Sequence, residues 1–196
     1  MAPETDRTDE ASRRVAIHAA AIREFSARGF AATSMANIAD AAGMSRPALY
    51  QYFENKRDIF ASAFAALIDA SVDRALAALR RDGTVAHQLD GFLQRFDGDL
   101  WEQMAASPHS HEIVDAKYEL AADAIAVGVA RLRKGLEVYL RRSGAPRAQR
   151  VEWAEMLDLS PKGFKFDQPS VDVYRRRLST LARTVAADID AVRTQN

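Results

Sequence analysis

The sequence predicts an all-α protein with about nine helices: a small N-terminal helix-turn-helix domain followed by a larger C-terminal helical bundle. Apolar residues recur every three or four positions along the chain, and the alternation typical of strands does not occur. Gly, Pro and Ser residues break the chain between these periodic segments. With 196 residues, of which 48% are hydrophobic and 28% charged, the chain is long enough to bury a sizeable core.

The N-terminus combines a polar stretch with a first amphipathic helix. Residues 1–11 are polar and acidic, and we expect a flexible tail here rather than a signal peptide. The first helix is predicted over 12–28, because apolar residues recur every four positions from Ile17 to Phe25 and Gly29 follows.

The next stretch predicts two short helices joined by a tight turn. Ser34 can cap the first helix and Ser45 the second, because each side-chain oxygen can accept a backbone N–H that has no helical partner. Gly43 lies between them, where a helix can end in the left-handed conformation. Leu49 and Phe53, four residues apart, form the inner face of the second helix. This is the pattern of a helix-turn-helix, whose second helix enters the DNA major groove.

The outer face of that second helix carries groups that suit DNA. Arg46 and Gln51 can donate to guanine and adenine edges, and tyrosine hydroxyls suit phosphate oxygens, so Arg46, Ala48 and Gln51 are the expected base readers. Lys56 opens the following helix, where the helix N-terminus also favours an anion, and we expect it to clamp a phosphate. The expected DNA-contacting residues are Thr33, Ser34, Ser45, Arg46, Pro47, Ala48, Tyr50, Gln51, Tyr52 and Lys56.

Basic charge is concentrated in the same part of the chain. The whole protein has a net charge of zero, but residues 11–57 contain seven basic and three acidic side chains, a local net charge of +4. Arg13 and Arg14 can reach phosphate or the minor groove, or can simply be the solvated start of a helix, and both interpretations remain open. A helical hairpin with ordinary exposed polar residues is the alternative to a DNA-binding motif, and it does not account for the paired caps.

The segment Gly29 to Phe60, GFAATSMANIADAAGMSRPALYQYFENKRDIF, resembles the DNA-binding domain of the TetR/AcrR family of bacterial transcriptional regulators. The resemblance rests on G-F, T-S-M-x-x-I-A, A-G-M-S and L-Y-x-Y-F, followed by N-K. Arg46-Pro47 departs from it, because many relatives carry Lys-Gly or a similar pair there. The resemblance implies a dimeric, all-helical repressor whose larger C-terminal domain binds a small effector.

A continuous helix is predicted over 55–80, and we place the domain boundary inside it. The DNA-binding domain then takes 12–58, and an effector-binding and dimerisation domain takes 59–196. A helix shared by two domains can tilt as a rigid body and move the recognition helix, which is a physical route for effector control. The remaining helices are predicted over 84–96, 99–106, 110–142, 147–159 and 169–192.

The last two predicted helices, 147–159 and 169–192, each carry an apolar stripe. Two such helices from each subunit can form a four-helix bundle across a two-fold axis, and a two-fold dimer fits a pseudo-palindromic operator. The alternative is that they complete the core of their own subunit. The family resemblance favours the homodimer.

An effector pocket is expected around two chain breaks near residue 100. Its candidate lining residues are Phe92, Phe96, Trp101, Met104, His109, Ile113 and Tyr118. Glu112 and Asp115 are further polar candidates, and a packed core without a pocket remains equally open. His109, His111 and Glu112 are also candidate ligands of a metal ion. The simpler interpretation is that Ser110 caps a helix and that the histidines lie at the end of this helix. We predict no metal and no cofactor.

The chain is therefore predicted to be a cytoplasmic, ligand-responsive repressor that binds double-stranded DNA and does not contact a membrane. A small, mainly apolar effector would release it from its operator. One alternative is an effector-independent DNA-binding or architectural factor, and another is a helical binding protein or enzyme with a vestigial helix-turn-helix. An enzyme is disfavoured, because the chain has no Cys, no G-x-S-x-G and no H-E-x-x-H.

Overall fold

Helices form almost the whole protein in the computed structural model, which describes residues 4–195. No strand occurs in that range, so the predicted all-α class is confirmed. None of the described helices has both the length and the apolar character that crossing a bilayer requires.

The chain forms two compact units: unit 1 contains the residues up to Ile68 together with Ala106–Ile125, and unit 2 contains Asp69–Ala105 and the residues from Ala126 onward.

Ten α-helices and one π-helical turn follow one another along the described residues. They are α1 (Glu4–Ala32), α2 (Met35–Ala41), α3 (Arg46–Tyr50), α4 (Lys56–Ala78), α5 (Val85–Leu93), the π-helical turn (Gln94–Gly98), α6 (Asp99–Ala105), α7 (Ser110–Leu120), α8 (Ala122–Arg141), α9 (Arg147–Gly163) and α10 (Val171–Gln195). About nine were predicted, and the additional one arises because the helix expected over 110–142 is divided at Ala121 into α7 and α8.

Helix α1 begins earlier than predicted. Of the expected tail, residues 1–3 lie outside the described residues, whereas residues 4–11 are helical and continuous with α1. No Gly or Pro interrupts this stretch, and acidic residues near a helix N-terminus favour the helix. The Nε atom of Arg14 lies 3.4 Å from a carboxylate oxygen of Glu10, one turn away.

The core of unit 1 is built on aromatic side chains. The ring centroids of Phe25, Phe30 and Phe60 lie 5.1–5.6 Å from one another, and Phe60 stacks on Phe64 at 4.5 Å. Such pairs contribute roughly 0.5–1.5 kcal/mol beyond the burial of their area. The inner faces predicted for the first three helices supply the rest of this core, through the buried side chains Ile17, Ala21, Ile38, Ala39, Leu49 and Phe53.

Helix α7 packs against α1 within unit 1. The hydroxyl of Ser107 donates to the carbonyl of Ser26 at 2.8 Å, and a carboxylate oxygen of Glu112 accepts from the backbone N–H of Ala31. The segment that contains α7 had been assigned to the C-terminal domain, 59–196, on sequence grounds. The predicted DNA-binding domain, 12–58, lies wholly inside unit 1.

In unit 2, helix α10 packs against α5, the π-helical turn and α9. The apolar stripe predicted on α10 is buried, with Tyr174 and Leu178 fully inside and Leu181 nearly so. Trp153 of α9 is also buried, and its indole N–H donates to a carboxylate oxygen of Asp188 at 2.6 Å. The α10 stripe therefore completes the core of its own unit, which was the alternative to a dimer contact.

The chain does not end a helix at Asp97-Gly98, where a break was expected. It widens into the π-helical turn and continues into α6. Arg175 packs against this turn: its Nη1 lies 3.0 Å from Oε1 of Gln94, and a Cβ atom at Gly98 would lie only 2.9 Å from the same nitrogen. The glycine thus leaves room for the guanidinium group against the helix.

Candidate nucleic-acid interface

Helix α2 begins with a reciprocal cap. The hydroxyl oxygen of Ser34 accepts the backbone N–H of Asn37 at 3.2 Å, and Oδ1 of Asn37 accepts the backbone N–H of Ser34 at 3.0 Å. This capping box satisfies two N–H groups at the helix start and confirms the cap predicted at Ser34.

The turn between α2 and α3 also has the predicted geometry. Gly43 adopts a φ of +67°, in the left-handed region that a side chain would penalise. The N–H of Met44 donates back to the carbonyl of Ala39 at 3.0 Å, which closes the end of α2. Ser45 then caps α3, because its hydroxyl oxygen accepts the N–H of Ala48 at 3.3 Å. The direction of α3 is therefore set at both sides of the turn.

Helix α3 buries one face and exposes the other. Leu49 is fully buried, whereas Arg46, Pro47, Tyr50 and Gln51 are exposed. One guanidinium nitrogen of Arg46 donates to the hydroxyl of Tyr50 at 3.3 Å, and the guanidinium carbon lies 5.6 Å from the centre of that ring. Arg46 and Tyr50 therefore form a paired edge of the exposed face. Ala48 is half-buried beside them.

Tyr52 lies behind this face and contacts helix α1. It is half-buried, and the guanidinium carbon of Arg14 lies 5.8 Å from its ring centre and 5.2 Å from that of Phe53. Arg14 is thus packed on aromatic rings as well as paired with Glu10. Neither interpretation offered for Arg14 from the sequence included this contact.

Thr33 is placed differently from the expectation. Only 2% of its surface is exposed, and its hydroxyl donates to the carbonyl of Gly29 at 2.7 Å. Its side chain therefore stabilises the end of α1, where Gly29 leaves the helical conformation. A buried hydroxyl that already has a partner does not present itself to DNA.

Lys56 is placed differently too. Its ammonium nitrogen lies 2.8 Å from the carbonyl oxygen of Phe30, 2.9 Å from that of Ala31 and 2.9 Å from that of Thr33. An ammonium group has three donors, and these three acceptors match all of them. Lys56 therefore holds the segment between α1 and α2 in this structure, in place of the phosphate clamp expected from its position at a helix start.

His109 and Glu112 lie at the other side of the same segment. Both are the nearest side chains to the space around Gly29, and Glu112 accepts the N–H of Ala31. Ser110, expected to cap this helix, does not do so: Ser107 accepts the N–H of His109 instead, at 3.1 Å. Among the residues that the structure describes, no group of three or more His, Cys, Asp or Glu side chains could hold a metal ion.

The sequence of this site matches a known family. Residues 17–63, which run from α1 through the turn and α3 into α4, match the family described as bacterial regulatory proteins, tetR family. This segment is therefore similar to the DNA-binding part of that family. The match begins at the first fully buried residue of α1 and ends within α4, so it coincides with the core that positions α3.

Similar proteins include a curated regulator and several solved structures. The HTH-type transcriptional activator FasR of Mycolicibacterium smegmatis is 36% identical over 75 residues, which are 38% of this chain and only 34% of FasR.

Two solved structures are similar over almost their whole length. The TetR family repressor AlkX from Dietzia sp. is 17% identical with a TM-score of 0.58, covering 91% of this chain and 97% of AlkX. The fatty acid degradation regulator FadR from Bacillus halodurans is 21% identical with a TM-score of 0.53, covering 90% and 94%. At these identities the two structures show a shared fold.

The residues expected to line an effector pocket are divided between the two units. His109, Ile113 and Tyr118 belong to unit 1, where Ile113 is buried and Tyr118 is 64% exposed. The other four belong to unit 2. Trp101 packs against Tyr174, with ring centres 5.3 Å apart.

Phe92 and Phe96 do line a small cavity in unit 2, with a volume of about 50 Å³. Asp97 lies at the same cavity, and burial raises the pKa of its carboxyl group, an effect that Lys165 at 3.2 Å opposes. A water molecule occupies roughly 30 Å³ in the liquid, so this space suits a water molecule or two rather than an organic ligand.

Proposed function

We propose that the chain is a transcriptional regulator that binds double-stranded operator DNA by placing helix α3 in the major groove. The exposed surface of α3 carries this proposal, because Arg46, Tyr50 and Gln51 are all exposed whereas Leu49 is buried. The caps on both short helices support it, since a base-reading side chain needs a helix whose orientation is fixed.

Each residue of the site then has a defined task. Arg46 and Gln51 read base edges, with Ala48 in apolar contact beside them. The hydroxyl of Tyr50 contacts a phosphate, as do Ser34 and the neighbouring exposed backbone. The further residues proposed for contact at the edges of this surface are Ser45, Pro47 and Tyr52.

The regulator is proposed to act as a homodimer. An open groove between α8 and α9 in unit 2 is partly lined by Val151 and Leu159, whose exposed fractions are 46% and 55%. A second copy of the chain can cover these apolar side chains around a two-fold axis, which would present two α3 helices to a pseudo-palindromic operator. This face replaces the α10 stripe, which is buried inside its own unit.

We further propose that the regulator is a repressor released by a small, mainly apolar effector. The match of residues 17–63 to the tetR family supports a ligand-controlled regulator, and the similar structure AlkX is a repressor implicated in the biodegradation of n-alkanes. FadR regulates fatty acid degradation, which also concerns apolar chains. An effector that binds unit 2 more tightly in the DNA-free state lowers operator affinity by the ratio of the two affinities.

An effector-independent DNA-binding factor is the second candidate. The cavity of about 50 Å³ beside Phe92 favours it, because an effector buried in the core needs a larger space, typically about 300 Å³ or more. The two candidates differ in one measurement, the release of bound operator by small molecules.

Selection of bound duplexes from a random pool tests the central proposal. Gln51→Ala should change the preferred base at one position in each half-site, with a loss of about 1–3 kcal/mol on the original operator. Tyr50→Phe removes the proposed phosphate contact and the hydrogen bond from Arg46 but keeps the ring beside the guanidinium group, and it should weaken binding to all sequences alike. Arg183→Gln, an exposed change on α10, is the matched control and should alter neither property. If the purified chain binds no duplex at low salt, the proposal is wrong.

A further inference from the structure

A second groove in unit 2 combines an apolar floor with a cationic rim. It lies between the end of α4 and the second half of α8 and has a volume of about 290 Å³. Leu76, Leu79 and Val138 form much of its floor, and Val138 is 45% exposed. The volume is close to the lower end of the range for small-molecule sites, roughly 300–1,000 Å³.

The rim of the groove carries uncompensated positive charge. Arg80, Lys134 and Arg142 line it and are all exposed, and no acidic side chain lines it. Among the described residues, none of these three forms an ion pair with a carboxylate. A fourth cation at the groove, Arg131, is different, because its nitrogens lie 3.3 Å from a carboxylate oxygen of Asp69 and 2.9 Å from one of Asp73.

Helices α4 and α8 pack closely beneath the groove. A Cβ atom at Gly135 would overlap the side chain of Leu76, so the glycine allows α8 to approach α4 at this point. Tyr139 also lines the groove, and its hydroxyl donates to Oε1 of Gln88 at 2.6 Å. The polar end of Tyr139 therefore has a partner already, and its ring adds to the apolar surface.

We propose that this groove binds an amphipathic anion, an alkyl chain that ends in a carboxylate or a phosphate. The chain would lie along Leu76, Leu79 and Val138, and the head group would sit among Arg80, Lys134 and Arg142. Charge complementarity selects this occupant, because three unpaired cations around an apolar floor favour an anionic head over a neutral or cationic one. This ligand is proposed to be the effector of the regulator, and that part of the inference rests on the proposed function.

Binding of single-chain amphiphiles to the full-length protein tests the site without DNA. Isothermal titration is carried out with dodecanoate, dodecyl phosphate, dodecyltrimethylammonium and inorganic phosphate, each below any micelle-forming concentration. Dodecanoate or dodecyl phosphate should bind, and octanoate should bind more weakly, by up to roughly threefold to fourfold for each methylene that leaves the groove. The cationic amphiphile and inorganic phosphate should bind at least about tenfold more weakly.

Variants locate the binding at the groove. The triple variant Arg80→Gln/Lys134→Gln/Arg142→Gln should weaken dodecanoate binding by at least roughly tenfold, since exposed charge contacts each contribute a few-fold. The variant Arg147→Gln/Arg176→Gln/Arg183→Gln removes the same charge from other exposed positions and should leave the affinity unchanged. Val138→Asp places a carboxylate on the floor of the groove and should abolish binding. Because Val138 is 45% exposed, this substitution should not disrupt the fold.

Several results would overturn the inference. Equal binding of the cationic amphiphile would show an unspecific apolar patch, and equal binding of inorganic phosphate would show a purely ionic site. Binding to anionic vesicles without binding of any single amphiphile would show a membrane-surface contact instead. Operator selection is carried out without amphiphile, so a chain that binds DNA but no amphiphile refutes only this inference. A chain that binds dodecanoate but no DNA refutes only the proposed function.

Discussion

The ammonium nitrogen of Lys56 lies 2.9 Å from the backbone carbonyl oxygen of Thr33, at the point where the chain enters α2. The same nitrogen bonds the carbonyls of Phe30 and Ala31 and lies 4.8 Å from the centre of the Phe30 ring. Glu112 accepts the N–H of Ala31 from the other side. The link between α1 and the helix-turn-helix is therefore held by a cation and an anion that come from α4 and α7.

Lys56→Met should destabilise the protein by about 1–3 kcal/mol, because three carbonyl groups lose a charged donor. The loss should appear in the free energy of unfolding measured by urea titration. Arg57→Gln, one residue along, breaks an ion pair with Glu119 whose side chains are 55% and 64% exposed, and it should cost no more than about 0.5 kcal/mol. Equal effects of the two changes would contradict the role assigned to Lys56.

The helix-turn-helix could be predicted in detail because its signals are local. Ser34 and Ser45 each cap a helix through a backbone group three residues away, and Gly43 adopts its left-handed conformation within a single residue. Such features depend on a few neighbouring residues and not on the rest of the fold. The burial of Leu49 and Phe53 could be predicted from their four-residue spacing alone.

The roles of Thr33 and Lys56 could not be predicted in the same way. Lys56 bonds residues 23–26 positions earlier in the chain, and no spacing rule relates those positions. The association of α7 with α1 is likewise a contact between distant segments, and it assigns His109 to a different unit from Phe92, Phe96 and Trp101, with which it had been grouped. An exposed cation at a helix start and one that holds a chain reversal look alike in a sequence.

Gly43→Ala should destabilise the protein by about 1 kcal/mol, because the residue has a φ of +67°. Nothing lies within 4 Å of a Cβ atom built there, so the cost comes from the backbone conformation and not from a clash. Gly43→Asn is the matched control, since asparagine tolerates this conformation better than alanine does. Thermal unfolding should rank the parent first, asparagine second and alanine last. The reverse order of the two variants would show that packing governs this turn.

The stability of the protein should fall as the pH falls below about 6.5, because His18 then becomes protonated more readily in the unfolded chain than in the folded one. Burial lowers the pKa of His18 from the ordinary value of 6.5, and Arg14 lowers it further. The unfolded chain therefore binds this proton at a higher pH than the folded chain. This contribution to stability is present above pH 6.5 and is lost as the pH falls through the folded pKa.

Two histidine variants test this pH dependence. His18→Gln can keep a hydrogen bond to Ser62, whose hydroxyl lies 2.9 Å from the His18 ring nitrogen, and it should flatten the decline in unfolding free energy between about pH 7.5 and pH 5.5. His111→Gln changes an exposed histidine and is the matched control. An unaltered slope in the His18 variant would assign the pH dependence to other groups.

Disrupting the apolar face of α9 should separate the proposed dimer. Val151→Lys/Leu159→Lys removes two exposed apolar side chains from each subunit, and it should raise the dissociation constant of the dimer by at least roughly a hundredfold. Analytical ultracentrifugation should then detect monomers whose helical content by circular dichroism matches that of the parent, and operator affinity should fall because each monomer reads one half-site. Val15→Lys alters a valine on α1 that is 67% exposed and should leave the dimer intact. A double variant that still sediments as a dimer would place the interface on another surface of the chain.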